Sequence, residues 1–572
     1  MSSKTGKAAL IEQLLADGVC YMFGNPGTVE EGILDELSQH PELRYILALQ
    51  EAVAVGIADG YARASGKVGV VQLHSGVGLG NGIGMLYQAW KGHTPLVVLS
   101  GIAGVRYEAL DAHMAADLVG MARPVTKWAE VARDPSSLLR LLRRAVKIAL
   151  TPPMGPVFLA LPMDVLDAPN MEAVTPTSVP LTRCAPDMDL LSQAAALLAS
   201  AQRPQIIMGD GIAASGAQAE LARVAELLGA EVWGADSFEV NMSYTHPLFR
   251  DLLGHMFGEH SRALVAQADA VLICGTFVFP EVFPALSTVF AAEARVIHID
   301  LDCDAIAKNF PVTLGLLGDP KLTLGKLAAL LQAEQSSEQQ AAATARAALI
   351  GAEKERSEAE AREADRVRSG LVPLHASQFM EMLASKLPAD ALVFDEALTC
   401  STDLVRYLPP TRPGHYFLTH STALGVGFPG ALGLKLAHPE RVVFGFSGDG
   451  GSMYTIPALW TAAHERIGVK FVVCNNHSYK LLKHNIQAYW QEQHLAEHAF
   501  PASFDVNQPD LRFDLLAESM GVRAVRVETP EQIEPAIQQA LADDQPFLIE
   551  LLLSSEVPEH IMQQALHAYS IA

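Results

Sequence analysis

Asp449 and Asn476 stand 27 positions apart, each at the end of an apolar run. Val442-Val443-Phe444-Gly445-Phe446 leads into Ser447-Gly448-Asp449-Gly450, and Phe471-Val472-Val473-Cys474 leads into Asn475-Asn476. Between them, Ile456 to Arg466 has helical spacing, with Ile456, Leu459, Trp460 and Ala463 on one side. Strand, tight turn, helix, strand and turn make a βαβ unit. In a parallel sheet the two strand ends point the same way, so the two side chains can meet. A carboxylate oxygen, an amide oxygen and a backbone carbonyl form a hard-oxygen set suited to magnesium rather than zinc. The glycines let a diphosphate approach the backbone, and the following helix offers N–H groups to anionic oxygens. Magnesium with diphosphate points to a nucleotide or to thiamine diphosphate (ThDP).

The chain carries its own control. Gly209-Asp210-Gly211 also follows an apolar run, Ile206-Ile207-Met208, but the residue at the corresponding later offset is Ser237, with no Asn pair. That copy reads as a turn before a helix, without metal.

A second acid stands in an unusual place. In Leu47 to Arg63, a largely apolar stretch, Glu51 begins a helix in which Ala52, Gly56 and Gly60 recur every fourth position as a small-residue face. A carboxylate among apolar neighbours is costly to ionise. Taken alone, Glu51 reads equally as a helix-capping acid, and Asp59 near the far end reads as structural. A ThDP site changes this. Its thiazolium C2 must lose a proton to the cofactor's own aminopyrimidine, and a protein carboxylate on the pyrimidine nitrogen promotes that transfer. Glu51 has the required character.

The elements that hold these residues are legible along the chain. At 572 residues, half of them hydrophobic, it suggests about three or four domains. Strand runs such as Tyr21-Met22-Phe23, Val68 to Leu73, Leu96 to Leu99 and Val157 to Leu161 alternate with helical patterns over residues 1–180. Gln205 to Met208, Val271 to Cys274 and Val296 to Ile299 repeat the texture over 181–335. Residues 336–372 contain an Ala-, Glu-, Gln- and Arg-rich stretch that reads as a solvated helical linker. The α/β texture returns over 373–572. The expectation is an α/β chain of three doubly wound parallel-sheet domains.

The net charge of −23 disfavours nucleic acid and anionic membrane as partners. Six cysteines without metal or redox spacing fit a reducing compartment. The N-terminus lacks the apolar core of a signal peptide, and no apolar run reaches about 18 residues. A cytoplasmic protein is expected.

Glycine, aspartate and paired asparagines at this spacing resemble the ThDP motif. With Phe23-Gly24-Asn25-Pro26-Gly27, Leu47 to Arg63, Leu73-His74-Ser75, Thr94-Pro95-Leu96 and Pro124 to Trp128, the chain resembles the ThDP-dependent 2-oxoacid decarboxylase and carboligase superfamily over nearly its whole length. Its pattern is most similar to the benzoylformate decarboxylase family. The resemblance implies pyrimidine-binding, central and diphosphate-binding domains, and a homodimer at minimum, with tetramers common. Each cofactor would lie between Glu51 of one copy and Asp449 of another.

Carried over by position, the resemblance makes Glu51 the cofactor-activating acid and gives Mg2+ to Asp449, Asn476 and the Ser478 carbonyl. Gly448, Gly450, Gly451, Ser452 and Tyr479 flank the diphosphate, with Thr399 and Cys400 in a further contacting loop. Leu424 wedges the cofactor into a bent shape, and a carbonyl near Thr422 faces the aminopyrimidine. His74 matches an active-site histidine, and Thr28 stands where the family has a substrate-contacting serine. Asn25, His113, Leu482, His484 and Asn485 fall in the substrate pocket. The Gly76, Gly78, Gly80, Gly82 and Gly84 series does not fit a dinucleotide motif and reads as a close-packed loop and helix start.

Two departures matter. The family's second histidine is missing from Phe277 to Phe283, where Val282 or a neighbour takes its place. His484, Asn485, Asp111 and His113 make the pocket more polar than an aryl substrate needs, if they point inward. His494 and His498, four apart, could share a helix face but lack further ligands, and read as surface residues.

The expected activity is non-oxidative decarboxylation of a 2-oxoacid to an aldehyde, possible with carboligation. The rivals are an acetolactate-synthase-type carboligase or C–C lyase, and a non-catalytic ThDP-binding subunit. The presence of Glu51 argues against the last, because binding alone does not need that acid.

Overall fold

The computed structural model describes residues 4–254, 258–279, 281–420 and 423–555. Three six-stranded sheets carry the chain, each built from parallel pairs. The first contains β1 (Tyr21–Gly24), β2 (Arg44–Leu47), β3 (Gly69–Leu73), β4 (Leu96–Ile102), β5 (Ala129–Val131) and β6 (Val157–Pro162), in the order β2-β1-β3-β4-β6-β5. The second contains β7 (Pro204–Met208), β8 (Glu231–Ala235), β9 (Phe249–Leu253), β10 (Ala270–Cys274), β11 (Arg295–Asp300) and β12 (Leu314–Leu317), in the order β9-β8-β7-β10-β11-β12. The third contains β13 (Leu392–Glu396), β14 (Tyr416–Leu418), β15 (Val443–Gly448), β16 (Val469–Asn475), β17 (Arg523–Val527) and β18 (Phe547–Leu552), in the order β14-β13-β15-β16-β18-β17. The apolar runs read as strands fall in these sheets, because parallel strands covered on both faces need side chains buried on both sides.

The first and third sheets share one strand order. In each, the chain reverses its direction of travel across the sheet between the first and third strands. Ligands of open parallel sheets bind at such a reversal, beyond the carboxyl ends of the strands. In the first sheet it lies between β1 and β3, whose ends lead into Asn25 and His74. In the third it lies between β13 and β15, whose ends lead toward Thr399 and into Asp449. In the second sheet the equivalent place is filled by backbone: a Cβ on Gly211 would fall 2.5 Å from Gly275 Cα. Asp210 there accepts hydrogen bonds from Phe238 N, Glu239 N and Asn241 Nδ2, so its carboxylate organises a turn.

The first and third sheets meet through helices α1 (Glu51–Ser65) and, after α2 (Ser75–Lys91) and α3 (Ser337–Arg368), α4 (Gly427–Ala437). The small-residue face expected on α1 is where they touch. A Cβ on Gly60 would fall 2.1 Å from Gly430 O, and one on Gly433 2.2 Å from Ile57 O. Backbones this close admit only hydrogen at the contact. α3 is one long helix with little buried surface; Ala343 and Asp365 are its buried residues.

Three local expectations need correction. The alternating glycines lie wholly inside α2, not in a loop. Gly78 and Gly82 leave room that a Cβ would take from Glu51 Oε1 (3.2 Å) and Leu73 Cδ1 (3.1 Å), so packing offsets their low helix propensity. The stretch 456–466 is helical only over Ala458–Glu465, following a separate short helix, α5 (Asp449–Tyr454). His494 and His498 share no helix face, because the preceding helix ends at Glu492; both are nonetheless exposed, as expected of surface residues, and His498 packs on Trp490.

Candidate active site

The chemistry-bearing residues gather at two places, one on each of the like-ordered sheets. At the first sheet, a short turn after β2 leads into α1, whose first residue is Glu51, buried at 6 % exposure. Two amides hold it: Asn25 Nδ2 donates to Oε1 at 3.3 Å and Asn81 Nδ2 to Oε2 at 3.0 Å. Asn25 is itself anchored, since Gln72 Nε2 donates to its carbonyl and Tyr45 Oη donates to Gln72 Oε1.

His74 ends the neighbouring strand. Its Nδ1 lies 2.8 Å from Glu30 Oε2, while Glu30 Oε1 accepts from Gly101 N at 2.7 Å. Glu30 is fully buried, which pushes its carboxyl up, and the bonds from His74 and Gly101 oppose that rise. A carboxylate at Nδ1 fixes the tautomer and leaves Nε2 as the working nitrogen. Gly27 is required here, because a Cβ would fall 1.9 Å from His74 Nδ1. Thr28, beside it, is exposed.

At the third sheet, Asp449 opens α5 with its side chain 4 % exposed. Its Oδ1 accepts from Gly450 N at 2.6 Å, and Oδ2 accepts from Asn476 N at 3.1 Å and Ser478 N at 3.2 Å. The turn is held by Asn476 Oδ1, which accepts from Ser478 N, and by Asn475, whose Nδ2 donates to Glu550. Burial pushes the Asp449 carboxyl up, and the three backbone donors only partly oppose this. Gly450 must be glycine, since a Cβ would enter the Tyr479 ring at 2.3 Å. Gly448 has nothing within 4 Å of its Cβ direction, and Ser452 Oγ donates to its carbonyl. The oxygen donors, the buried acid and the open glycine together fit a hard divalent cation with a diphosphate.

A cavity of about 460 Å³ reaches this cage at Thr399, Cys400, Asn476 and His484, and much of its remaining wall comes from Arg250, Lys354 and Arg406. Leu482 is 42 % exposed and His113 is exposed, while Asn485 Oδ1 is buried without a hydrogen-bond partner among the described residues. Leu424 is 36 % exposed; Thr422 lies outside the described residues. Val282 and Phe283, where a second histidine is missing, are 65 % and 52 % exposed. Asp59 is buried 3.8 Å from Arg63, and Asp111 is exposed.

Among the described residues, no hydrogen bond or ion pair links Glu51 with Asp449, Asn476 or Ser478. Glu30 and Asn81 are the site residues that reading the sequence missed. Glu30 had a weak signal, an acid in the turn after Gly27; Asn81 had none.

Comparison with known proteins gives three consecutive family matches. Residues 4–121 match the N-terminal TPP binding domain of thiamine pyrophosphate enzymes, 191–327 the central domain and 398–551 the C-terminal TPP binding domain. A benzoylformate decarboxylase from Pseudomonas aeruginosa is 31 % identical over 96 % of this chain and 98 % of its own. A probable acetolactate synthase large subunit from Methanococcus aeolicus is 28 % identical over 96 % and 92 %. A solved ThDP-dependent 4-hydroxybenzoylformate decarboxylase from Rhodococcus jostii RHA1 superposes with a TM-score of 0.82 at 27 % identity, covering 96 % of this chain and 99 % of that one.

Proposed function

Because the chain belongs to the thiamine pyrophosphate enzyme family, we propose that it decarboxylates a small 2-oxoacid without oxidation and releases an aldehyde. The observation that carries this reading is Glu51, a buried carboxylate held by two amides on a different sheet from the Asp449 oxygen cage. Bound ThDP supplies the electron sink that accepts the electrons left when carbon dioxide departs.

The chain's residues do the rest. Asp449, Asn476 and the Ser478 carbonyl hold Mg2+. Gly448, Gly450, Gly451, Ser452, Thr399, Cys400 and Tyr479 receive the diphosphate. Glu51 would share a proton with the pyrimidine nitrogen, and Leu424 would support the rings; the contact carried over to Thr422 lies outside the described residues. His74, with Nδ1 committed to Glu30, presents Nε2 to the substrate. Asn25, Thr28, His113, Leu482, His484 and Asn485 shape the pocket.

This reading divides the chain into a pyrimidine-binding domain (1–180), a central domain (181–335), a helical linker (336–372) and a diphosphate-binding domain (373–572). It carries with it at least a homodimer, with Glu51 of one copy and Asp449 of another at each cofactor; a tetramer is the fuller form. We read the enzyme as cytoplasmic: its cysteines are free thiols, and no described helix is long and apolar enough to cross a membrane.

A second reading, carboligation to a 2-hydroxyketone, is favoured by the missing histidine at 277–283 and the similarity to the acetolactate synthase subunit. One experiment tests both. The protein with ThDP and Mg2+ is given 2-oxoacids of graded length and polarity, including pyruvate and benzoylformate, while carbon dioxide, aldehyde and hydroxyketone are measured. Aldehyde as the main product supports the first reading and hydroxyketone the second; no carbon dioxide from any acid rejects both. Shared sites are tested by mixing Glu51→Gln and Asp449→Asn subunits: recovered turnover requires the two groups to come from different chains.

A further inference from the structure

Glu396 is the last residue of β13, at the point of reversal between β13 and β15, and it is fully buried. Three neutral donors converge on it. Gly425 N donates to Oε1 at 2.5 Å, Gly427 N donates to Oε2 at 2.8 Å, and Ser447 Oγ donates to Oε2 at 3.0 Å. Only a carboxylate presents two acceptor oxygens to such a set; an amide would turn an N–H donor toward another donor.

The turn it holds is tightly constrained. Gly425 has φ +91°, and a Cβ there would meet Tyr454 Cβ at 2.8 Å and Gly451 O at 3.2 Å. Its carbonyl accepts from Thr455 Oγ1 at 2.5 Å. Both backbone groups of Gly425 are therefore committed, one to Glu396 and the other to the end of the Asp449 helix. Leu424 precedes this clamp and remains 36 % exposed while Gly425 and Val426 are buried. Through Ser447 the same carboxylate touches the strand that delivers Asp449.

We propose that Glu396 is a positioning residue that locks the Leu424–Gly425 turn to the Asp449 loop, so that the prop under the cofactor rings and the cage around its diphosphate keep one fixed separation. This rests on the ThDP reading. A plain helix cap is the competing role, because Gly427 begins α4. The two roles differ in what they move. A cap changes stability; a positioning residue also changes how readily bound ThDP loses its C2 proton.

The test uses Glu396→Gln, Leu424→Ala, the double variant and the milder Ser447→Ala. Hydrogen–deuterium exchange at C2 of ThDP is followed by NMR at saturating ThDP and Mg2+. Amide exchange of the segment 423–427 is measured in the protein without cofactor. The expected result is a slowing of C2 exchange by about tenfold or more in Glu396→Gln, with faster amide exchange at 423–427. The double variant should be no slower than Leu424→Ala, because both changes act through one turn. Should Glu396→Gln not fold, Ser447→Ala carries the test, with C2 exchange slowed several-fold. Wild-type C2 exchange in the folded variants, with only the melting temperature lowered, reduces Glu396 to a cap and overturns the proposal. Failure of the wild-type protein to bind ThDP overturns this proposal and the underlying reading together, which separates the two failures.

Discussion

Glu30 accepts a hydrogen bond from His74 Nδ1 at 2.8 Å while its other oxygen holds Gly101 N. The histidine is thereby oriented from behind by a buried acid. Glu30→Gln keeps the shape but removes a titratable carboxyl, which burial pushes up, and one of its two acceptor oxygens. Turnover should fall by about tenfold or more with a smaller change in KM, and the pH–rate profile should shift. An unchanged profile would make the pair purely structural.

Glu51→Gln keeps one acceptor for the neighbouring amides but no longer offers a carboxylate to the pyrimidine. Turnover should drop by at least about a hundredfold, the usual scale for a proton-transfer group. Magnesium-dependent ThDP binding, read by calorimetry, should persist. Surviving turnover would refute the assignment.

Asp449 is buried among backbone donors, with no cation hydrogen-bonded to it among the described residues. Chelation of divalent metal should release ThDP, and restoring Mg2+ should reverse the loss. Asp449→Asn should lower ThDP affinity at any metal concentration and also lower the stability of the apo fold, because its amide nitrogen would face a backbone N–H that the carboxylate now accepts.

Gly60 tests the contact between the two like-ordered sheets. The Cβ of Gly60→Ala would fall 2.1 Å from a backbone oxygen, so α1 and α4 must separate. The expected cost is about 1–3 kcal/mol in denaturant unfolding. Gly66→Ala, at a helix end with open space around its Cβ but φ +66°, should cost less, about 1 kcal/mol.

Burial raises Glu396 to about 7, the hydrogen bonds from Gly427, Gly425 and Ser447 opposing it. An unfolded chain releases that proton near 4.3. Below about pH 4 both states are protonated; between about 4.5 and 7 only the folded state keeps the proton. Stability of the apo protein should therefore fall as pH rises through this window, by at most about 1.4 kcal/mol per unit, and level off above it. Glu396→Gln should flatten that part of the curve relative to wild type in thermal melts.

Much of this molecule was readable from local pattern alone. Continuous apolar runs ending in glycine, aspartate or asparagine identify buried parallel strands and where they end, because both signals reside in neighbouring residues. Asp449 with Asn476 was legible for that reason, and so was Glu51, an acid placed at the start of an apolar helix. The small face of α1 announced a close contact, though not its partner.

What the sequence could not hold is the pairing of side chains across strands. His74 meets Glu30, Asn81 meets Glu51, and Glu396 meets Gly425 only because the strand order brings together the strand ends and the segments that follow them. That order is a property of crossovers, not of any residue's neighbours. The glycines of α2 make the same point from the other side: local propensity argues for a loop, and packing against Glu51 and Leu73 decides for a helix. Residue types and their spacing determined which chemistry the chain can support; the tertiary structure alone decided which groups orient it, because orientation comes from contacts between segments far apart in the chain.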